Sequence, residues 1–589
     1  MTDALAHRGP DGDGIWCRDR LALGHRRLSI FDLSDRGAQP MLSRDGRHVI
    51  AYNGEIYNFK ELRHPLEQQG LIFRSETDTE VLLAQYQRYG IEGIGALRGM
   101  FAFALWDENE QALFLVRDRL GIKPLYFIDR GGLLLFASEI KSLLCHPEVT
   151  AELDRRQLWE WLALRYTIAP NTLFKGIRKL EPGCYLKATR NGVVHHQYWD
   201  VPFEPIITDR AAAVDEYRRL LKESVNHCLR ADVPVGVFLS GGLDSSVLAL
   251  EAAEQSSHRI KTFTVGYRNH PEINELTQAK TVAQFIGADH HELLLDDVKP
   301  DLLSRVVAHL EEPIGDPAAL LLYQLAELTR QNVTVALTGE GSDETNLGYS
   351  KAAAFARWAS VSKTPVLGGL LEAIWLRRWT RGGRPGRRFG ITLEDLYAEL
   401  SWPGLPRETL LNSNSHGAWN EGLRRVLNAC PSDDRLSRLL YLDIKCWMAD
   451  DLLTKVDKTT MAHGLEARVP FLDHALVEWN MRLPTQWKMG STGNKLFLRE
   501  LMKDRLPVAT VSRPQHGFLA PLANWFSGDW SSYLGQKLGK DGLARRQVIP
   551  DAYLSSVRQG LAAGNRQFLL PAFMLAALEC WFEEFRVTA

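Results

Sequence analysis

The chain has 589 residues, of which 45% are hydrophobic and 24% charged, and its net charge is −2. A near-neutral balance gives no electrostatic case for a nucleic-acid or anionic-membrane partner. No apolar run reaches membrane-spanning length, and the length suggests about two to four domains. The start, Met1-Thr2-Asp3-Ala4-Leu5, lacks the apolar core of a secretion signal. The seven cysteines (17, 145, 184, 228, 430, 446 and 580) are scattered without a C-x-x-C pair. This argues against a disulfide framework and a zinc site, and fits a reducing cytoplasm.

Two textures follow each other along the chain. Up to about residue 200, short β-type runs such as 48–52, 112–116 and 133–137 are separated by turn residues. Residues 200–209 carry two prolines and read as a linker. From there strands alternate with helices: strands at 235–239, 262–266, 292–295 and 333–338, and a helix over 277–287. Such alternation implies a parallel sheet covered on both faces. Beyond about 345 the pattern is mainly helical, with an amphipathic run over 436–453.

The strand at 235–239 breaks into Ser240-Gly241-Gly242-Leu243-Asp244-Ser245-Ser246, followed by a helical pattern. Two glycines let backbone amides approach an anion closely. The serine hydroxyls add neutral donors, and Asp244 suits such a place only if a divalent cation stands between it and phosphate. An ordinary glycine turn is the plainer alternative, but all seven residues behind a strand favour phosphate. No Gly-Lys-Ser/Thr follows, so this is not a Walker A loop. It resembles the pyrophosphate loop of the ATP-pyrophosphatase superfamily.

Four further segments carry chemistry-bearing residues. In Leu337-Thr338-Gly339-Glu340-Gly341-Ser342-Asp343-Glu344, three acids within five residues need a cation or a proton between them. They are candidates for metal binding or general-base work, and an acidic surface turn is equally consistent. The stretches 450–458 and 461–473 offer Lys455, Lys458 and Arg468 to phosphate or carboxylate, or to plain salt bridges. Gly493-Asn494-Lys495 puts a lysine at a helix start, and Ser512-Arg513-Pro514-Gln515 is a turn that says little alone. The basic stretch 377–388 reads as a solvated helix end.

Together and in this order, the five segments resemble asparagine synthetase and its close relatives. The resemblance spans the chain. It implies an amidotransferase of layered antiparallel sheets flanked by helices over 1–200. It also implies a synthetase domain over 210–589, built on an α/β parallel sheet with a mainly helical extension. By resemblance, Ser240, Gly241, Gly242, Asp244, Ser245 and Ser246 hold the pyrophosphate and magnesium of ATP, Leu239 and Gly339 border its adenine and ribose, and Val265 and Thr338 also bind ATP. Glu340 would be the base or the carboxylate that positions the amine, Lys495 would stabilise the adenylation transition state, and Asp343 would join Asp244 on Mg2+ or contact substrate. Lys458 and Arg468 would shape the acceptor pocket.

The first half carries matching stretches at His7–Gly12, Gly24–Ile30, Tyr52–Asn58, Ser75–Glu80, Gly99–Asp107 and Arg117–Tyr126. By resemblance, Arg27 would hold the glutamine carboxylate, Glu55 and Asp78 its amino group, and Asn53 with the amide of Gly54 the oxyanion. In an unrelated sequence Asn53-Gly54 would read as a hairpin turn. In this family the nucleophile is an N-terminal cysteine whose own amine is the base. In relatives a segment of roughly 20–30 residues bearing it precedes the His-Arg-Gly-Pro motif, whereas here that motif begins at His7. Two expectations compete: a natural start further upstream, favoured because the pocket residues survive, or ammonia taken from solution.

The implied reaction adenylates the side-chain carboxylate of aspartate and transfers ammonia to it, giving asparagine, AMP and pyrophosphate. Residues 345–349 read Thr-Asn-Leu-Gly-Tyr where relatives carry Phe-Gly-Gly-Tyr, and Gln515 stands where lysine is commoner. These departures keep open other carboxylate acceptors, as in antibiotic, peptide or polysaccharide clusters. A non-catalytic nucleotide-binding relative is the remaining alternative. Oligomeric state is not readable from the residues; a homodimer stands as one expectation.

Overall fold

The structure is a computed structural model. It describes residues 1–269, 274–295, 298–313, 315–361, 392–401, 418–490, 493–514 and 528–589. The basic stretch at 377–388 and the turn from Gln515 onward lie outside these residues.

The first half is built on antiparallel sheets. Strands β1 (Gly12–Arg18) and β2 (Leu21–Arg27) form a hairpin. The main sheet has six strands in the order β11-β10-β6-β5-β4-β3. Its members are β3 (Met41–Leu42), β4 (His48–Ile56), β5 (Gly99–Asp107), β6 (Ala112–Arg117), β10 (Cys184–Thr189) and β11 (Gly192–Gln197). A smaller sheet joins β7 (Tyr126–Arg130), β8 (Leu133–Ala137) and β9 (Arg178–Lys179).

The main sheet is covered on both faces, which explains why β5 and β6 read as continuous apolar runs. Ile50, Phe101, Phe103 and Phe114 pack against Leu66, Val81, Leu82 and Tyr86 from helices Phe59–Gln68 and Asp78–Tyr89. Their strand neighbours Val49, Ala102, Ala104 and Leu115 pack the other way, against Phe127 and Leu180. These two helices, and a third at Arg155–Leu164, are among those expected to flank the sheets of this half.

The second half is an α/β unit whose five parallel strands run β14-β13-β12-β15-β16. They are β12 (Val235–Phe238), β13 (Lys261–Tyr267), β14 (Asp289–Leu295), β15 (Val335–Leu337) and β16 (Glu466–Arg468). The chain leaves β12 for β13 on one side and returns through β15 on the other. The crevice between the carboxyl ends of β12 and β15 is therefore a topological switch point, where ligands of such sheets sit. Helices Leu243–Gln255, Leu276–Ile286 and Ala318–Arg330 cover the sheet.

The rest is mainly helical. The run expected over 436–453 is a helix only to Leu442, followed by π-helical turns over Asp443–Leu452. One apolar core joins the two halves, from Tyr57 and Met100 to Phe582. The residues read as a linker contribute Val201 and Phe203 to it. The C-terminal Thr588 returns to bond Ala151 and Leu153. Among the described residues no helix is long and apolar enough to cross a membrane.

Candidate active site

The phosphate-type loop leaves β12 at the switch point. Leu239 is buried and its amide donates to the Phe263 carbonyl at 2.8 Å, fixing where the loop starts. Gly241 has φ +71°, and a Cβ there would lie 2.6 Å from the amide nitrogen of Ala279. Only glycine satisfies both constraints. The Gly242 carbonyl accepts the Ser246 amide at 3.1 Å and the Ser246 hydroxyl at 2.6 Å. Ser245 Oγ accepts the Ser240 amide at 3.1 Å. The hydroxyls of Ser245 and Ser246 thus brace the loop itself, while the helix Leu243–Gln255 directs its positive end at the crevice.

The acidic turn follows β15. Thr338 is held by the Arg468 carbonyl at 2.9 Å, and its hydroxyl donates to Glu340. Gly339 lies against Asp244, whose Cβ would be 3.3 Å from a Cβ at that glycine. Val265 is buried in β13. The Ser342 hydroxyl donates to Asp244 Oδ1 at 2.7 Å, tying the two turns together.

Lys495 completes the cluster. Its ammonium lies 2.5 Å from Asp244 Oδ2 and 2.6 Å from Asp343 Oδ1, and the side chain is fully buried. Its backbone is left-handed at φ +52°. Such strain in a lysine persists where the surroundings impose it. Gly348 is the enabling neighbour, because a Cβ there would sit 1.8 Å from Asp343 Oδ1 and 2.3 Å from Lys495 Cε. The sequence reading named the lysine and both carboxylates but passed over Ser342 and Gly348. The signal for both was their place inside the quoted motifs.

Burial sets the electrostatics. It pushes the Asp343 carboxyl up to about 6 despite the opposing pull of Lys495. It would lower the Lys495 ammonium, but Asp244 and Asp343 outweigh it and hold the lysine above its ordinary value. Glu344 rises to about 8 through burial and the Asp343 charge. Two carboxylates sharing one cation beside a ring of amides form a donor set into which a nucleotide-bound dication fits. Magnesium takes one or two protein carboxylates and draws its remaining oxygens from phosphate and water. Among the described residues no group of three or more His, Cys, Asp or Glu would hold a metal alone.

The structure does not bring Lys458 or Arg468 to this cluster. Lys458 is sealed against Glu311 at 2.5 Å and the Leu310 carbonyl at 2.9 Å. Arg468 is likewise fully buried, with its guanidinium on Glu466 at 2.8 Å, Glu55 at 3.5 Å, and the carbonyls of Cys228 and Arg230. The Arg468–Glu55 pair joins the two halves, and neither the Lys458 nor the Arg468 side chain is open to an acceptor.

In the first half, Asn53 and Gly54 lie within β4, opposite Ala102 and Phe101, and form no hairpin turn. The Asn53 amide nitrogen is buried and without a partner among the described residues, as a donor kept for an oxyanion would be. Gly54 has φ +146°, and a Cβ there would meet the Met100 carbonyl at 2.0 Å. Asp78 opens its helix and accepts from Tyr52 Oη and the Ile56 amide, both at 2.8 Å, with burial raising it to about 6. The Glu55 carboxylate, expected with Asp78 on one ammonium, lies 3.5 Å from the Arg468 guanidinium. Arg27 donates to the carbonyls of Ser34 at 2.8 Å, Phe31 at 3.3 Å and Asp32 at 2.5 Å.

The comparisons agree with this division. The asparagine synthase profile matches residues 216–583, and the glutamine amidotransferase profile matches residues 1–199. The chain is 34% identical over 545 residues to asparagine synthetase [glutamine-hydrolyzing] 1 of Bacillus subtilis, covering 91% of this chain and 85% of that protein. It is 35% identical to a putative asparagine synthetase [glutamine-hydrolyzing] of Mycobacterium bovis, covering 88% and 83%. It is also 31% identical to amidase chry2 of Gibberella zeae, covering 89% and 85%. With its parallel-sheet loop, clamped lysine and antiparallel first half, the chain belongs to the asparagine synthase family, enzymes of the glutamine-hydrolysing asparagine synthetase type.

Proposed function

We propose that the protein activates the side-chain carboxylate of aspartate with ATP and converts it to the amide, giving asparagine, AMP and pyrophosphate. The observation that carries this reading is the Lys495 clamp on Asp244 and Asp343 at the mouth of the Ser240–Ser246 loop. In the first step a carboxylate oxygen attacks the α-phosphorus, and the bond to the bridging oxygen of pyrophosphate breaks. Amides of Gly241 and Gly242 and the helix start of Leu243–Gln255 face the departing phosphates. Lys495 offsets the charge that builds on them. Asp244 and Asp343 would hold magnesium, which supplies further neutralisation of the phosphate oxygens when bound.

In the second step the ammonia lone pair attacks the acyl carbon and AMP leaves with the bonding electrons. Glu340 would take the proton released from nitrogen. The nitrogen comes from glutamine or from free ammonia. Asn53 and the Gly54 amide would hold the oxyanion of glutamine hydrolysis, and Arg27, Glu55 and Asp78 would bound its pocket. We take 1–200 as the amidotransferase unit and 210–589 as the synthetase. A cytoplasmic setting fits seven cysteines that form no disulfide.

A second reading keeps the chemistry and changes the acceptor. It is favoured by the Thr345–Tyr349 departure and by the relationship to a protein named an amidase. Product analysis with ATP, magnesium, ammonium or glutamine, and a panel of carboxylates tests both readings. AMP formation with aspartate supports the first, AMP with another carboxylate alone supports the second, and ADP as product contradicts both.

A further inference from the structure

A buried lysine that the adenylation chemistry leaves unused lies behind the acidic turn. Lys488 ends the short helix Thr485–Lys488 and is 0% exposed. Its ammonium donates to the Thr345 carbonyl at 3.0 Å and reaches the Met481 sulfur at 4.0 Å, and both acceptors are neutral. Lys123, Lys179, Lys351, Lys455, Lys458 and Lys495 are buried too, but each pairs with a carboxylate. Lys488 has no ion-pair partner among the described residues, and burial alone brings its ammonium down to about 7. An unpaired buried ammonium is destabilising where an apolar side chain in the same space is not. Packing therefore gives no reason for a lysine here.

What Lys488 holds is the far end of the acidic turn. Thr345 closes the short helix Ser342–Thr345, whose first residues make the contacts of the crevice: Ser342 with Asp244 at 2.7 Å and Asp343 with Lys495 at 2.6 Å. Asn480 Nδ2 donates to the same Thr345 carbonyl at 3.3 Å and to Asn346 Oδ1 at 3.2 Å, while Asn346 Nδ2 donates to the Ser342 carbonyl at 2.9 Å. The chain then passes through Leu347, left-handed at φ +53°, to Gly348. The Gly348 amide returns to the Asp343 carbonyl at 2.9 Å, and its carbonyl accepts the Asn494 side chain. A leucine keeps such a backbone only where its surroundings impose it. Next to Lys488, the Trp487 ring stacks on Phe497 at 6.4 Å, in the helix that Lys495 opens. The element Thr485–Lys488 thus touches both the turn that carries Asp343 and the helix that follows Lys495.

We propose that Lys488 is a positioning residue for the adenylation step: by holding the Thr345 carbonyl it fixes the acidic turn, so that Asp343 meets Lys495. This rests on the adenylation reading and adds to it a residue that touches none of the reacting groups. Without the ammonium, the Thr345 carbonyl keeps only Asn480, and the short helix is free to shift. A displacement of about 1 Å passed on to a reacting centre lowers its rate on the order of a hundredfold.

The test is Lys488→Met in the full chain, which fills the same space without the ammonium. Two quantities are read: the melting temperature without ligands, and ATP–pyrophosphate exchange with aspartate and magnesium. The expected result is a melting temperature that does not fall, a kcat lower by about tenfold or more, and an aspartate KM within about twofold of the unaltered protein's. A kcat within about twofold overturns the proposal. So does a loss of kcat matched by a lower melting temperature, because a lysine that only stabilises the fold would give that pair. If Lys488→Met does not fold, Asn480→Ala, which removes the other donor from the Thr345 carbonyl, decides. A lowered kcat at unchanged aspartate KM then upholds the proposal, and an unchanged kcat overturns it. Absence of exchange in the unaltered protein removes the adenylation reading itself, whereas exchange that survives in the variants removes the role of Lys488 alone.

Discussion

The two halves solve opposite electrostatic problems. In the synthetase half, charges face each other across a crevice: two carboxylates wait on one lysine, and that balance can be exchanged for a dication and phosphates. In the amidotransferase half, the charged residues are already spent. Arg27 is taken by three backbone carbonyls, Asp78 by Tyr52 and Ile56, and Glu55 by Arg468. Beside them the neutral Asn53 amide nitrogen is buried and has no hydrogen-bond partner among the described residues. A site for an anionic nucleotide needs mobile countercharge, whereas a site for a neutral amide needs oriented donors in a rigid frame.

The comparison breaks most sharply at Arg468, which serves both halves. Its side chain neutralises Glu55 and Glu466, and its carbonyl holds Thr338 beside Glu340. Arg468→Met takes the guanidinium from buried Glu55 and leaves Glu466 with Lys123 at 3.7 Å. We expect a loss of about 3–5 kcal/mol, measured by denaturant unfolding, where a conventional surface arginine would give under about 0.5 kcal/mol.

Lys495→Ala strikes the synthetase half alone. Pyrophosphate exchange should fall on the order of a hundredfold, and added magnesium should raise the melting temperature of the variant more than that of the unaltered protein. Glutamine hydrolysis, where present, should not change. A parallel loss of both activities would erase the contrast between the halves.

A third expectation concerns Asp78. The folded protein keeps its proton up to about pH 6, while the unfolded chain releases it near 3.8. The folded state therefore binds more protons between these values, and this group's contribution to stability falls as pH rises from about 4 to 6. The change is on the order of 3 kcal/mol. Asp78→Asn should remove that slope from the difference between the two unfolding curves. The smallest effect is expected for Ser342→Ala, which loses one hydrogen bond to Asp244, about 1 kcal/mol of stability, with a modest rise in the KM for ATP.

Much of this was legible in the sequence, for reasons that differ by element. The loop at Ser240–Ser246 and its strand were readable because glycine, serine and aspartate at fixed spacing after an apolar run have few other uses. Strand alternation after 213 likewise implied the parallel sheet. The strand expected over 333–338 narrows to Val335–Leu337, and the one at 292–295 begins at Asp289, because pairing with β13 and β16 sets their ends. The first-half helices followed from the resemblance and not from periodicity, because Asp78–Tyr89 buries Thr79, Gln85 and Asp78 itself, blurring its apolar stripe. The break into π-helical turns after Leu442 leaves no mark on an amphipathic pattern.

Lys458 and Arg468 show where reading by segment runs out. Their motif was identified, but their partners Glu311 and Glu55 lie far away in sequence. Nothing local distinguishes a lysine sealed in an ion pair from one facing a substrate. Lys455, three residues before Lys458, pairs instead with Asp316 at 2.5 Å, and only the fold separates the two partners.

The most direct test of the central claim follows radiolabelled pyrophosphate into ATP with aspartate and magnesium, in the unaltered protein and in Asp244→Ala. Exchange that depends on the carboxylate and is lost in the variant is the expected result. ADP formation without exchange, or exchange that survives Asp244→Ala, would contradict it.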